Sequence, residues 1–156
     1  MNSEDACKFT DHICRLAPVI PVLVIEDATI AEPLAEALIS GGLPTLEVTL
    51  RSAAALDAIR AMSKVVGATV GAGTLLSGQD VRAAKEAGAV FGVSPGATDN
   101  LLQACEDSDM PLLPGAATAS EVMRLMERGY RMQKFFPAEA SGGVPALQSI
   151  GGPLPQ

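Results

Sequence analysis

The sequence predicts an α/β chain of the (β/α)8 TIM-barrel type, with about six of the strand–helix units present. Three observations predict it: apolar runs alternate with helical segments along the whole chain, the connections are short, and a small-residue signature ending in Thr recurs after successive strands. Strands joined through helices by short loops must be parallel with right-handed crossovers, because each helix returns the chain to the same end of the sheet. A doubly wound open sheet satisfies the same alternation. The signature favours the barrel: Gly71-Ala72-Gly73-Thr74, Pro95-Gly96-Ala97-Thr98 and Pro114-Gly115-Ala116-Ala117-Thr118 recur about every twenty residues, as a ring of like units would.

In order along the chain, an amphipathic segment at 4–15 reads as a leading helix, and 17–25 as the first strand. A helix at 29–39 is opened by a Thr29-x-x-Glu32 capping box and closed by Gly41-Gly42. A strand at 45–50 is followed by a helix at 53–64 that ends near Gly67, then a strand at 68–73. Ser77 caps a helix at 79–87; a strand at 89–93 precedes a helix from Thr98 or Asp99 to Asp107. A short strand at 110–113 leads to a helix opened by Thr118-x-x-Glu121 and running to Arg128. A sixth strand at 130–136 and a helix beginning at 144–150 complete the reading.

Of the 156 residues, 48% are hydrophobic, enough for the core of one domain spanning 1–156. A barrel needs eight units and usually at least ~200 residues, so either the sheet is open or the chain is a fragment lacking the last two units, roughly 45 residues or more. The formal charge is −7, with 11 basic and 18 acidic residues and no Lys/Arg cluster, so the electrostatic footprint of a nucleic-acid binder is missing. The apolar run at 16–25 is too short and, with Pro18 and Pro21, too broken to span a bilayer. Ser3, Glu4 and Asp5 stand where a secretory leader would be basic. Cys7, Cys14 and Cys105 form neither a disulfide framework nor a zinc knuckle, which points to a reducing cytoplasm.

Ligands of both candidate architectures sit at the carboxyl ends of the strands. On the second strand, Leu46, Val48 and Leu50 alternate with Glu47, Thr49 and Arg51, so one face carries a carboxylate, a hydroxyl and a guanidinium. Glu47 points into the barrel mouth if the apolar face packs on the helices; the competing reading is an exposed edge strand with a polar face. On the sixth strand, Met132, Lys134 and Phe136 share a face, and Lys134 is the only lysine within a predicted strand. An amine desolvated among apolar neighbours is easier to hold neutral and so to use against a carbonyl. The competing reading is a lysine snorkelling at a strand end.

Elimination narrows the chemistry. The single histidine, His12, lies in the leading helix, far in sequence from any strand end, so histidine-based nucleophilic catalysis and histidine-rich metal sites lack their central group. Cys7 and Cys14 share a helix face and suit packing; Asp27 and Asp80 fall at helix starts, where the macrodipole accounts for them. Gly71-Ala72-Gly73-Thr74 lacks the third glycine of a dinucleotide fingerprint and the Lys-Ser/Thr of a P-loop. The Thr74 hydroxyl and the amides near Pro95-Gly96 remain able to bind a small carboxylate. Glu47 is the leading carboxylate for proton transfer and Lys134 the leading nucleophile.

These segments together resemble the 2-keto-3-deoxy-6-phosphogluconate aldolase family, which includes the 4-hydroxy-2-oxoglutarate aldolases. The collinear matches are Pro18-Val19-Ile20-Pro21-Val22, Gly41-Gly42, Leu46-Glu47-Val48-Thr49-Leu50-Arg51, Val70-Gly71-Ala72-Gly73-Thr74, Ser94-Pro95-Gly96, Pro114-Gly115, and Lys134-Phe135-Phe136-Pro137-Ala138-Glu139 with Gly142-Gly143. The resemblance implies a metal-independent and cofactor-free class I aldolase on a (β/α)8 barrel, acting on a 2-keto acid as a cytoplasmic homotrimer. It implies that Lys134 forms the Schiff base, that Glu47 is the general acid/base acting through a water, that Arg51, Thr74 and Pro95 surround the pyruvate moiety, and that Phe136 packs beside the lysine. It also implies a phosphate cradle in glycine-rich loops after the seventh and eighth strands, which lie beyond this sequence. The expectation is therefore a chain that keeps the chemical centre but is marginal or inactive alone, with the outer strands unpaired. Oxaloacetate decarboxylation through the same imine, and a catalytically inactive carboxylate-binding or assembly module, are the alternatives.

Overall fold

A computed structural model describes residues 3–154. Helix α1 (Ser3–Arg15) precedes β1 (Val22–Leu23), a 3-10 turn (Ala28–Ile30) and α2 (Ala31–Ser40). The alternation continues as β2 (Thr45–Thr49), α3 (Ala55–Met62), β3 (Thr69–Gly73), α4 (Gly78–Glu86), β4 (Phe91–Val93) and α5 (Asp99–Asp107). It ends with β5 (Leu112–Leu113), β6 (Gly115–Ala116), α6 (Ala119–Glu127), β7 (Lys134–Phe135) and α7 (Gly143–Gly151). Every strand pair is parallel, in the order β1-β2-β3-β4-β5 and then β6-β7. This is the run of consecutive parallel strands on which a barrel is built.

Two local outcomes differ from the sequence reading, each for a backbone reason. The strand expected at 110–113 extends past Pro114 and changes partner there: β5 pairs with β4, and β6 with β7. Pro114 has no N–H to give a neighbouring strand, yet its carbonyl accepts the Lys134 N–H at 2.9 Å, so the switch costs no ladder bond. The expected Thr29-x-x-Glu32 capping box does not form. Asp27 accepts from the Thr29 amide and hydroxyl, opening the 3-10 turn, and α2 starts after Ile30 without a side-chain cap. The caps expected from Ser77, Thr98 and Thr118 do form, the last as a full capping box with Glu121. β1 and β7 are shorter than the expected 17–25 and 130–136; around β1, Pro18 and Pro21 remove ladder donors.

Period-2 alternation sorts the side chains into two layers. Leu46, Val48, Val70, Ala72 and Leu112 join helix residues such as Ala58, Ile59, Val81 and Leu102 in the layer between sheet and helices. Phe91, Val93 and Leu113 point the other way, where Ile13 and Phe9 of α1 and Met132 pack on them. The Thr45 hydroxyl donates to the Ile13 carbonyl at 3.1 Å, tying α1 to this inner face of β2. The outer strands β1 and β7 each have one partner among the described residues; Val19, Val22 and Val24 around β1, and Val144 and Leu147 on α7, are exposed.

Candidate active site

Glu47 sits in the middle of β2, which is flanked on both sides: it is in register with Val22 of β1 and Gly71 of β3, and its amide donates to the Pro21 carbonyl at 3.0 Å. All five residues of β2 are buried, so the exposed-edge alternative for this strand is overturned. A carboxylate on the inner face of a central strand has no surface role, and burying it without a partner is costly. Lys134 supplies the partner from 87 residues away: its Nζ lies 3.4 Å from Glu47 Oε1. The Glu47 side chain is only 6% exposed and that of Lys134 31%, so the amine is the member of the pair that solvent and a ligand can reach.

Lys134 is held by the β6–β7 ladder, where it stands in register with Gly115. Its Nζ also lies 5.4 Å from the centroid of the Phe136 ring, within cation–π range, and Phe136 as a residue is 42% exposed. The amine is therefore bounded by a carboxylate and an aromatic face. To the apolar neighbours that the sequence suggested for it the structure adds this ion pair.

The remaining candidates differ in their relation to the pair. Thr74 follows β3 with φ +63°, and for a β-branched residue the left-handed region is a strained backbone of the kind that clusters at ligand sites. Pro95 follows β4, and its backbone lies directly over Gly115: a Cβ at Gly115 would overlap the Pro95 carbonyl and stand 2.8 Å from the Gly96 nitrogen. That contact brings the Ser94-Pro95-Gly96 turn onto the strand neighbour of Lys134. Thr49 is buried on the same face as Glu47 and donates to the Leu23 carbonyl at 2.9 Å, a structural bond across β1–β2. Arg51, two residues beyond the end of β2, is exposed and makes no hydrogen bond or ion pair among the described residues, so it is not drawn into the Glu47–Lys134 cluster.

The sequence did not single out Ser94. Its hydroxyl is buried with no hydrogen-bond partner, next to Pro95, and a Ser-Pro pair reads in sequence only as a turn. A cavity of about 320 Å³ lies instead at the amino ends of β5 and β7, where Cys7, Cys105, Tyr130 and Met132 help line it. Burial pushes the Cys105 thiol up to about 12, with Glu106 adding to the effect, so at neutral pH it is an inert thiol. His12 is exposed on α1, and no group of three or more potential metal ligands occurs among the described residues.

A lysine and a buried carboxylate brought into contact by two strands of a parallel array suit carbonyl chemistry through an imine with local proton transfer. Known proteins bear on this arrangement. A family model described as KDPG and KHG aldolase matches residues 10–156. The KHG/KDPG aldolase of Escherichia coli (strain K12) is 50% identical over 147 residues, which cover 94% of this chain and 69% of that protein. Among solved structures, the 2-keto-3-deoxy-6-phosphogluconate aldolase of Zymomonas mobilis ZM4 with 3-phosphoglycerate superposes with a TM-score of 0.92 at 50% identity, covering 96% of this chain and 72% of that one. The KDPG aldolase of Legionella pneumophila, with pyruvate captured as a covalent carbinolamine intermediate, gives 0.88 at 44% identity, covering 92% and 70%.

Proposed function

The chain belongs to the KDPG and KHG aldolase family, and from that membership we propose that it is a class I aldolase cleaving 2-keto-3-deoxy-6-phosphogluconate to pyruvate and glyceraldehyde 3-phosphate. The observation that carries the reading is the Lys134 Nζ held 3.4 Å from the carboxylate of Glu47 on the inner face. Lys134 attacks the C2 carbonyl, water leaves, and the resulting iminium is the electron sink. Glu47 takes the C4 hydroxyl proton, the C3–C4 electron pair moves into the iminium to give an enamine, and the aldehyde departs. Glu47 then returns a proton to C3, and hydrolysis of the imine releases pyruvate and restores the amine.

Thr74, Pro95 and Arg51 are the residues we assign to the pyruvate end, with Phe136 as a wall beside the amine. Arg51 is exposed and its guanidinium has no partner among the described residues, which supports its meeting an anion. The same proposal takes residues 1–156 as one barrel-type domain with six of the eight units, in a cytoplasmic homotrimer. A second substrate, 4-hydroxy-2-oxoglutarate, is favoured by the dual designation of the Escherichia coli relative. Imine formation with pyruvate calls on the Lys134 amine and the Glu47 carboxylate, both described here, and is the step that the test reads.

The test is intact mass after borohydride reduction in the presence of pyruvate, on this chain and on Lys134→Ala. A pyruvate-sized adduct on the first and none on the second is expected. No adduct on a folded chain, or an adduct that survives Lys134→Ala, refutes the assignment.

A further inference from the structure

We propose that Gly73 is a positioning residue: its missing side chain is the seat of the Glu47 carboxylate, and through that seat it sets the contact between Glu47 and Lys134. The proposal rests on the aldolase reading for its functional consequence, while its geometry stands alone.

Gly73 is the last residue of β3, in register with Thr49 of β2, and its carbonyl accepts the Leu50 amide at 2.9 Å. Its φ lies outside the left-handed region, so the backbone places no demand for glycine here. Glycine within a strand is destabilising relative to alanine and packs nothing, so space must account for it. A Cβ built on Gly73 would overlap Glu47 Oε1 and stand 2.8 Å from Cγ and 2.9 Å from Cδ of the same side chain. Three successive atoms of Glu47 pass through the volume that a methyl would take. Cγ and Cδ stand close to the β2 backbone, so the clash cannot be relieved by a small swing of a flexible tip.

The other glycine of β3 makes the comparison. A Cβ at Gly71 would overlap the ring of Phe91, a fully buried packing residue. One strand thus carries two gaps on its inner face: that at Gly71 admits an aromatic ring of the core, and that at Gly73 admits an acid. The Lys134–Glu47 contact, at 3.4 Å, is already near the outer limit of a hydrogen bond, so a carboxylate displaced by about 1 Å loses it. Gly73→Ala should therefore leave the lysine in place and take the carboxylate away from it.

The test is a double-mutant cycle between Gly73→Ala and Glu47→Ala, read in two ways. The first is exchange of the pyruvate methyl hydrogens with D2O, followed by NMR, which reports proton transfer at the enamine carbon. Gly73→Ala should slow exchange by roughly tenfold or more, as Glu47→Ala does, and the double variant should be no slower than Glu47→Ala alone. Borohydride trapping at Lys134 should fall less than exchange, a split that general destabilisation does not produce. The second is thermal unfolding: Gly73→Ala should lower the midpoint by roughly 2–10 °C, and adding Glu47→Ala, which vacates the space, should recover most of that loss. Gly151→Ala, where nothing lies within 4 Å, is the control for added methyls. Wild-type exchange in Gly73→Ala, a double variant slower than Glu47→Ala by the full Gly73→Ala factor, or no recovery of the midpoint overturns the proposal. If the unsubstituted chain neither traps nor exchanges pyruvate, the aldolase reading fails, and the unfolding cycle still decides whether the seat exists.

Discussion

Lys134 and Glu47 should contribute unequally to stability, because they are unequally buried. The Glu47 side chain is 6% exposed and Lys134 is the carboxylate's one hydrogen-bonding partner among the described residues, whereas nearly a third of the Lys134 side chain reaches solvent. At 3.4 Å the gross attraction is about 5 kcal/mol with an effective dielectric constant near 20. Desolvation of the carboxylate cancels most of it, so the net worth of the pair is small. Removing one partner is a different matter. Lys134→Met strands a buried carboxylate and should cost roughly 2–4 kcal/mol; Glu47→Leu leaves an amine that can swing outward and should cost less than about 1 kcal/mol. The double variant, with no charge left to satisfy, should return to within about 1 kcal/mol of the parent. Urea unfolding at pH 7 measures all four chains, with a constant m-value as the condition for comparing midpoints. The reasoning fails if Glu47→Leu is the more damaging single change, or if the double variant shows the sum of the two losses.

Two further outcomes follow from groups away from the site. Thr118→Ala removes the hydroxyl that accepts the Glu121 amide in the capping box of α6 and should lower the urea-derived stability by about 1 kcal/mol. At alkaline pH, the Cys105 thiol is pushed up to about 12, by burial and then by Glu106, and the Tyr130 hydroxyl is raised by the same causes in the same order. Both groups hold their protons in the folded chain at pH values where the unfolded chain releases them. Their contribution is whole below pH 9 and is lost as pH rises toward 12, at a slope of up to about 1.4 kcal/mol per pH unit for each group. Cys105→Ala should flatten the midpoint-against-pH curve above pH 9, and an unchanged slope would remove Cys105 from the account.

Much of this was legible in the sequence, and the pattern of what was not is informative. The caps at Ser77, Thr98 and Thr118 were readable because a cap is a contact between residues three apart. Asp27 outcompeted the Thr29 box because a carboxylate two residues before an amide makes the tighter local turn, a choice between neighbours that spacing alone does not rank. The shared face of Glu47 and Thr49 came from period-2 alternation, but whether that face looked to solvent or inward depended on β1 and β3 covering both edges of β2. Arg51 obeyed the same alternation on paper and yet lies beyond the end of β2, exposed, where the strand's period no longer applies. The collinear motifs placed the chain with the KDPG and KHG aldolases, and the family match over 10–156 agrees with that resemblance.

Local pattern carried the α/β class, the parallel alternation, most helix starts and the choice of Lys134 and Glu47 as candidates for imine and proton-transfer chemistry. Those properties are set by contacts within a turn or a strand, where chain geometry fixes which residues meet. That Glu47 and Lys134 touch, that Pro95 lies on Gly115 and that Glu47 fills the space beside Gly73 became visible in the folded chain alone. Each of these joins residues from different strand–helix units, the first of them 87 positions apart. Their meeting depends on strand register and on how the twisted parallel array curves, which no local pattern of side chains encodes.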